Sequence, residues 1–254
     1  KVADFNYDKT GPMRVSRIYC KENLAAGASI QLDSDSIHYL VNVLRLKPGT
    51  EINLFNSDAG EFRGTIVTAS KKEVVVELDE QVAEPLRNSL SIHLALGLSK
   101  GDRFDYAMQK SVELGVAAIT PLYTEYSEVK FKDHSRLEKK LLHWQKIAVS
   151  ACEQCGSHSP PTLYAPLTLN EFAQQKTKAC RLVLDKSGEG SLSELEKPEA
   201  IELLVGPEGG LSPDELGLLQ SHEFQAINMG PRILRTETAP VAALAILQSV
   251  YGDL

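Results

Sequence analysis

The stretch that decides the fold runs from Leu203 to Glu215 and reads Leu-Leu-Val-Gly-Pro-Glu-Gly-Gly-Leu-Ser-Pro-Asp-Glu. Its pattern is that of a short apolar strand, a tight Gly-Pro loop and a helix that begins with a capping box. Gly206 frees the backbone of the loop, and Pro207 stiffens it. Because ligands bind in the loops that follow the strands of α/β sheets, we predict a ligand site here.

The same arrangement recurs about 20 residues further on. Gln225–Met229 is predicted to form the last strand, and the loop Gly-Pro-Arg-Ile-Leu-Arg-Thr-Glu-Thr follows from Gly230 to Thr238. An apolar run then predicts a final helix that ends near Tyr251. Two rigid loops whose backbone is not covered by side chains suit a flat heterocycle that is recognised by backbone N–H and C=O groups.

An alternative interpretation of both loops is that they are ordinary strand–helix turns. Four polar residues of the second loop favour a ligand site instead, because a plain connector has no need of them: Arg232, Arg235, Thr236 and Glu237. Other nucleotide sites do not fit the pattern. The first loop lacks the Gly-x-Gly-x-x-Gly of a dinucleotide site, and a P-loop and a nucleophile elbow are also missing from the sequence.

The chain from residue 85 to residue 254 alternates strand and helix patterns, which is typical of an α/β domain. The predicted strands are Ile92–Leu98, Val116–Leu122, Arg181–Leu184, Ile201–Val205 and Gln225–Met229. The predicted helices are Asp102–Leu114, Asp133–Cys152, a short one after the capping box Thr168–Glu171, one after Ser212–Glu215, and Thr238–Tyr251.

Residues 13–84 show mainly short, β-branched segments separated by turns, which predicts a small β-barrel. One helical segment, Asp35–Leu44, interrupts the strands. Residues 1–12 match no element and are interpreted as a leader that does not belong to the fold. The predicted domains are therefore 13–84 and 85–254.

Composition narrows the function classes. The chain has 254 residues, of which 43% are hydrophobic and 24% are charged, as in globular domains. It shows no apolar run of membrane-spanning length and no secretory signal, so a cytoplasmic location is expected. The net charge of −7 argues against a generic nucleic-acid binder, although between residues 86 and 160 ten Lys/Arg outnumber eight Asp/Glu.

Four cysteines do not make a disulfide framework in a chain of this length. Cys152 and Cys155 have the spacing of a redox or zinc pair. A zinc site needs a second pair of ligands, and no second Cys or His pair with suitable spacing is present. No metal is therefore expected.

Both glycine loops resemble the signature loops of the SPOUT methyltransferases. More narrowly, both loops are similar to those of the RsmE family, which methylates N3 of a uridine in 16S ribosomal RNA. Further similarities are the opening Met13-Arg-Val-Ser-Arg17, His38 with Val43-Leu-Arg45, and Lys100-Gly-Asp-Arg103. The resemblance covers nearly the whole chain from Met13 onward.

The resemblance implies a PUA-like β-barrel that binds RNA, followed by a SPOUT-type α/β domain with a trefoil knot. It also implies S-adenosylmethionine as the cofactor, 16S ribosomal RNA or the small ribosomal subunit as the substrate, and a homodimer formed through the last helix. The alternatives are a SPOUT methyltransferase that acts on a ribose 2′-hydroxyl and a non-catalytic RNA-binding factor in ribosome assembly.

Three groups of site residues follow from the loops and the resemblance together. The expected cofactor-binding residues are Leu184, Gly206, Pro207, Glu208, Gly209, Gly210, Met229, Gly230, Ile233, Leu234 and Thr236. The candidates for catalysis are Arg235, Arg232 and Glu237, although helix stabilisation is an equally good interpretation of the glutamate. The candidates for RNA binding are Arg14, Arg17, Arg45, Lys100 and Arg103, whereas His38 is expected to be packed and hydrogen-bonded.

Overall fold

The computed structural model describes residues 15–86, 88–131 and 133–254. The predicted leader 1–12 and Arg14 therefore lie outside the described residues. The chain divides into two compact units between Pro85 and Leu86, and each unit has its own core.

The first unit is built on a five-stranded sheet with the order β1-β3-β4-β5-β2. The strands are β1 Ser16–Tyr19, β2 Ser29–Gln31, β3 Glu51–Asn56, β4 Gly60–Ala69 and β5 Val74–Ala83. β1 pairs with β3 in parallel, and the other pairs are antiparallel. Every strand contributes apolar side chains to a single core, as the alternating sequence pattern predicts.

The predicted helix of the first unit is short and changes type partway along. Helix α1 spans Ser34–Ile37, with Asp33 as its N-cap, and continues as a π-helical turn over His38–Val43. Arg45 follows at φ +56°, a left-handed conformation that is uncommon outside glycine. The amide of Leu46 closes the turn by donating to the carbonyl of Leu40 at 2.9 Å. This backbone places the Arg45 side chain in solvent.

The second unit contains a parallel sheet with helices between its strands. Its strands are β6 Ser91–Gly97, β7 Ala118–Tyr123, β8 Thr162–Leu163, β9 Leu167–Thr168, β10 Cys180–Leu184, β11 Ala200–Val205 and β12 Gln225–Ile227. Its α-helices are α2 Asp102–Glu113, α3 His134–Cys155, α4 Leu169–Ala173, α5 Pro213–Ser221 and α6 Thr238–Tyr251. The α/β class and the five principal strands predicted from the sequence are confirmed.

The strand order is β12-β10-β11-β6-β7-β8, with β9 paired to β7. Each of these pairs is parallel, so the chain returns across the sheet between strands. From β6 the chain moves outward to β7, β8 and β9, and then crosses to the opposite side of β6 for β10, β11 and β12. The order therefore reverses between β6 and β11, where ligands bind in sheets of this type.

The shortest elements were not predicted from the sequence. β8 and β9 have two residues each, and Leu192–Glu194 forms one 3₁₀ turn. Segments of this length carry no periodicity from which they can be recognised. The two predicted capping boxes are confirmed, because Thr168 and Ser212 each accept a hydrogen bond from the backbone of the glutamate three residues later.

Arg181 on β10 ties several elements to the sheet. Its Nε donates to Glu202 on β11 at 2.9 Å, and both side chains are buried. The other guanidinium nitrogens donate to the carbonyl oxygens of Ala173, Gln175 and His222, which end α4 and α5. Burial raises the pKa of Glu202, and the Arg181 guanidinium opposes that rise. The pair holds the ends of two helices against the strands that precede the site.

Helix α6 packs along the unit with one face buried. Pro240, Ala243, Leu244 and Leu247 point inward, and the buried Gln248 amide donates to the Leu114 carbonyl at the end of α2. The Tyr251 hydroxyl bonds both the N–H and the C=O of Leu195. Packing within the chain therefore accounts for most of the apolar run, while Ile246 and Val250 remain exposed.

His93 on β6 is held neutral beneath the site. Its Nε2 lies 2.8 Å from the hydroxyl of Thr120 on β7, and its ring contacts Tyr164 and Phe172. Burial lowers the pKa of His93 to about 4. The unfolded chain, with a histidine pKa near 6.5, therefore binds more protons than the folded chain between about pH 6.5 and pH 4.

We expect this difference to make the second unit lose stability as the pH falls. Over that pH range His93 destabilises the fold by about 3 kcal/mol, because the unfolded state is protonated first. His93→Gln keeps a donor toward Thr120 without titrating, so its unfolding free energy should fall less between pH 7 and pH 4.5. Urea unfolding at each pH, followed by the fluorescence of the single tryptophan, Trp144, measures how the unfolding free energy of each protein changes with pH. An equal change in the two proteins would contradict the prediction.

Candidate functional site

The candidate site lies at the carboxyl ends of the parallel strands. The loops after β12, β10, β11, β6 and β7 all emerge at this edge, because parallel neighbours end on the same side of a sheet. β6 and the loop after β11 approach so closely that a Cβ added to Gly97 would lie 2.5 Å from the nitrogen of Pro207. Only glycine fits at this junction.

Two glycine loops enclose a cavity of about 940 Å³, which we call the glycine-loop cavity. Its walls come from the ends of β10, β11 and β12 and from the segment that leads into α6. All eleven predicted cofactor-binding residues line it: Leu184, Gly206, Pro207, Glu208, Gly209, Gly210, Met229, Gly230, Ile233, Leu234 and Thr236. The structure thus brings together residues that are up to 52 positions apart in the chain.

A hydrogen bond joins the two loops. The Thr236 hydroxyl donates to the carbonyl oxygen of Gly206 at 3.0 Å, and Thr236 is buried. Within the first loop, the amide of Gly210 donates to the Pro207 carbonyl at 2.9 Å. Gly210 itself has φ +73°, a conformation that side chains disfavour. These contacts fix the shape of the cavity without any bulky side chain.

The three candidate catalytic residues lie along the same wall. Arg232, Arg235 and Glu237 all line the glycine-loop cavity. The Arg235 side chain is 79% exposed, and its Nη1 lies 3.9 Å from Oε1 of Glu237. The second carboxylate oxygen of Glu237, Oε2, is buried and has no hydrogen-bond partner among the described residues. Glu237 is the N-cap residue of α6 but makes no side-chain capping bond, so only its charge can stabilise the start of the helix.

Glu208 connects the first loop to helix α2. Its Oε1 accepts a hydrogen bond from the Lys100 backbone amide at 3.2 Å and another from Arg103 Nη1 at 3.1 Å. Lys100 also pairs through its ammonium group with Glu128. The two RNA-binding candidates of this unit therefore lie at the mouth of the site, each next to a carboxylate.

A second, more open cavity of about 1400 Å³ adjoins the first, and we call it the tyrosine cavity. Arg103, Glu208, Gly209, Arg235 and Glu237 line both cavities. The remaining residues of its wall come from the loops after β6 and β7 and from the ends of α2 and α6: Lys100, Gly101, Asp102, Tyr106, Glu125, Tyr126, Ser127, Glu128 and Thr238. Two adjoining cavities that share a wall can hold two ligands in contact.

The RNA-binding candidates of the first unit differ in their surroundings. Arg17 donates to Glu61 at 2.8 Å and lies 4.3 Å above the Phe55 ring, with 12% of its side chain exposed. Packing within the unit therefore accounts for Arg17, and its role as an RNA contact stays a prediction. Arg45 is exposed, as an RNA contact requires, and Arg14 lies outside the described residues.

The prediction that His38 is packed was wrong in one respect. Its ring is exposed, although Nδ1 lies 2.9 Å from the side-chain nitrogen of Asn42 on the next turn. Among the cysteines of the pair, Cys152 is buried in α3 and Cys155 is exposed at its end. Within the described part of the chain, no group of three or more His, Cys, Asp or Glu side chains is placed to hold a metal ion.

Sequence reasoning missed several residues of the two cavities. Asp185, Lys186, Leu211 and Ile227 line the glycine-loop cavity at strand ends. Their positions directly after β10, in the first loop and at the end of β12 were available signals. Tyr106 and Tyr126 carried no such signal, because α2 and the loop after β7 reach the site only through the tertiary fold.

The two units match family models of an RNA methyltransferase domain and of its PUA domain. A family model described as the RNA methyltransferase domain matches residues 86–248. A second model, described as the RNA methyltransferase PUA domain, matches residues 32–79. The expected PUA-like class of the first unit is confirmed, while the trefoil knot stays a prediction.

Similar proteins indicate which family of RNA methyltransferases the chain belongs to. Ribosomal RNA small subunit methyltransferase E of Buchnera aphidicola subsp. Schizaphis graminum is 35% identical over 95% of this chain and 98% of its own. The enzyme of that name from Bacillus subtilis is 30% identical over 89% and 92%, respectively. The chain belongs to the ribosomal RNA small subunit methyltransferase E family.

Two solved structures show the same fold. A protein of Legionella pneumophila in complex with the bound cofactor SAM is 39% identical and superposes with a TM-score of 0.91, covering 95% of this chain and 100% of that one. A ribosomal RNA small subunit methyltransferase E of Neisseria gonorrhoeae, bound to S-adenosyl methionine, is 34% identical with a TM-score of 0.86, covering 94% and 99%.

We expect Thr236→Val to weaken binding of S-adenosylmethionine about tenfold, because it removes the bond between the loops and leaves the Gly206 carbonyl unpaired. Thr236→Ser keeps the hydroxyl and serves as the matched control, with an affinity close to that of the original chain. Titration calorimetry measures both affinities. Unchanged binding by the valine variant would show that the two loops hold their shape without this bond.

Proposed function

We propose that this chain transfers a methyl group from S-adenosylmethionine to N3 of a uridine in 16S ribosomal RNA. The observation that supports this most strongly is the glycine-loop cavity, which collects both signature loops around one space. Membership of the ribosomal RNA small subunit methyltransferase E family supports the small-subunit RNA as substrate. The SAM-bound relatives support the cofactor.

The cavity fits such a cofactor in size and chemistry. About 940 Å³ lies within the range of cavities that hold drug-sized ligands. Val205, Leu211, Ile227 and Met229 supply apolar contacts, and the glycine loops present bare backbone to a flat heterocycle. Exposed Ile233 lies at the rim, where a ligand can cover it.

When bound, the cofactor supplies an activated methyl group on a sulfonium. The task of the chain is then to orient the acceptor nitrogen and to stabilise the charge that forms on the uracil ring. The Arg235 guanidinium is placed on the wall shared by both cavities, where it can donate to a uracil oxygen. It thus stabilises the uracil anion in the transition state.

We assign Glu237 as the group that accepts the N3 proton of the uracil. Its buried Oε2 lacks a partner among the described residues, and the residue lines both cavities. A carboxylate oxygen in this position accepts the hydrogen bond of the N3–H group and can take its proton as the N–C bond forms. Arg232 lines only the glycine-loop cavity, whereas Arg235 lines both cavities, so Arg232 ranks below Arg235 as a catalytic candidate.

RNA docking is proposed for residues of both units. Arg45 in the PUA-like unit is an exposed cation that can meet a phosphate. Lys100 and Arg103 in the second unit are exposed at the mouth of the site, where an RNA phosphate would have to compete with Glu128 and Glu208 for them. The chain is proposed to act in the cytoplasm, where small-subunit RNA is present. Across the described residues, no helix is long and apolar enough to cross a membrane.

A homodimer is proposed through α6. Exposed Ile246 and Val250 extend the apolar surface of this helix beyond what packing within the chain covers. A second copy that buries both side chains would form a symmetric contact. Light scattering at micromolar protein concentration tests this proposal, and a monomeric mass would reject it.

Mass spectrometry of digested 16S ribosomal RNA tests the reaction itself. Small-subunit RNA incubated with the chain and S-adenosylmethionine should gain one methyl group on a uracil base, with its ribose unmodified. A 2′-O-methylated nucleoside would instead identify a ribose methyltransferase. Binding of RNA and cofactor without any transfer would favour an assembly factor.

We expect Arg235→Ala to lower the rate of methyl transfer about a hundredfold while cofactor affinity changes little. Loss of one electrostatic donor costs roughly 3 kcal/mol in the transition state. Arg235→Lys should restore only part of the rate, because it keeps the charge but not the planar fork. Arg136→Ala, an exposed arginine on α3 outside both cavities, is the matched control.

Single-turnover rates at saturating RNA and cofactor measure the effect of Arg235→Ala. A rate within about twofold of the original chain would assign Arg235 to RNA docking or to loop structure. Calorimetry with S-adenosylmethionine on the same preparation shows whether the variant keeps its cofactor site.

A further inference from the structure

Two tyrosines of the tyrosine cavity have no role in the cofactor site. Tyr106 on α2 and Tyr126 after β7 are 50% and 44% exposed, and both line the same cavity. No hydrogen bond within the described residues anchors either phenol hydroxyl. Exposed aromatic faces beside a reaction centre are the surfaces on which nucleic-acid bases stack.

Both tyrosines project from firmly held backbone. Phe104, Ala107 and Met108 bury the other face of α2, and Asp105 on this helix binds Lys140, His143 and Trp144 on α3. Burial opposes ionisation of Asp105, but these hydrogen bonds outweigh it and keep the pKa of Asp105 below its ordinary value. The ring of Tyr106 is therefore carried by a rigid element.

The turn that carries Tyr126 is equally fixed. The hydroxyls of Thr124 and Ser127 lie 2.9 Å apart in a buried contact, and the Ser127 amide donates to the Thr124 carbonyl at 3.2 Å. Tyr126 also touches the cofactor loop, because a Cβ added to Gly209 would lie 2.7 Å from the Cβ of Tyr126. One tyrosine therefore stands directly beside the first glycine loop.

The charges of the tyrosine cavity favour a neutral ligand over a phosphate. Each of its three cations lies beside a carboxylate: Lys100 beside Glu128, Arg103 beside Glu208, and Arg235 at 3.9 Å from Oε1 of Glu237. Asp102 and Glu125 add further negative charge to the wall. Arg235 and Glu237 lie at the border of the glycine-loop cavity, where their donor and acceptor groups match the O and N–H groups of uracil.

Methyl transfer requires a second ligand in contact with the first. The reacting atoms must approach to about 3–3.5 Å, so the acceptor base has to enter a space that adjoins the cofactor. We propose that the tyrosine cavity receives the target base after it leaves its stack, with Tyr106 and Tyr126 as the stacking surfaces. This inference rests on the proposed function and adds the base-binding residues to it.

Four variants of the full chain test this inference: Tyr106→Ala, Tyr126→Ala, Tyr126→Phe and Tyr164→Ala. Phenylalanine keeps the stacking face, and Tyr164 is a matched control with similar exposure outside both cavities. A labelled RNA of ten uridines, with S-adenosylhomocysteine present, is the binding probe. Fluorescence anisotropy measures its affinity, and single-turnover methylation of 16S RNA measures the rate.

We expect either alanine variant at Tyr106 or Tyr126 to lose roughly tenfold to a hundredfold in RNA affinity or in transfer rate, the range for loss of one stacked base. Tyr126→Phe and Tyr164→Ala should stay within about twofold of the original chain. Binding of S-adenosylmethionine should be unchanged in all four, which separates loss of the base site from collapse of the cofactor loop.

Three outcomes would overturn the inference. If RNA affinity and transfer rate in both Tyr106→Ala and Tyr126→Ala equal those of the original chain, the rings do not hold the base. An equal loss in Tyr164→Ala would indicate a general surface effect. A change of mass in light scattering with RNA binding intact would make the tyrosine face a contact between copies. The proposed function has a separate test. If the original chain binds the cofactor but transfers no methyl group, that result contradicts the proposed function. The RNA affinities of the variants would still decide the role of the tyrosines.

Discussion

The hydrogen bond from Thr236 to the carbonyl of Gly206 is the contact on which the site depends. It joins two loops that are separated in sequence by α5 and β12, and so converts two turns into one enclosed space. A hydroxyl is the smallest side-chain group that can do this without filling the cavity. The glycines around it are required by the backbone, because a Cβ at Gly209 would lie 2.7 Å from the Cβ of Tyr126, and Gly210 and Gly230 have φ values of +73° and +92°.

The parallel sheet determines where this chemistry can be. Strands that run in one direction deliver all their following loops to the same edge, and the reversal of order between β6 and β11 opens a crevice there. Arg181, on the strand next to β11, holds the ends of α4 and α5 and so keeps the strands beneath the loops in register. The rigid part of the unit thus lies below the site, and the polar residues that touch ligands lie above it.

Much of this could be predicted from the sequence, because the relevant signals are local. A strand pattern that ends in Gly-Pro identified the cavity walls, and the capping boxes at Thr168 and Ser212 identified two helix starts. Tyr106 and Tyr126 escaped prediction, since only the packing of α2 and the turn after β7 brings them beside Gly209. The pairing of Arg17 could not be predicted for a related reason: its partner Glu61 is 44 residues away and becomes a neighbour only through strand pairing.

The exposure of Ile233 bears on how the site can be observed. This side chain is 89% exposed and lies between Arg232 and Arg235 in a segment without regular structure. Exposed irregular segments are the preferred targets of proteases, and trypsin cleaves after arginine. A cut there would separate the first glycine loop from Thr236 and α6. Arg232, Ile233 and Arg235 line the glycine-loop cavity. A ligand that fills this cavity would shield the segment, so slower cleavage by trypsin at the two arginines would report occupancy of the site without any methyl acceptor.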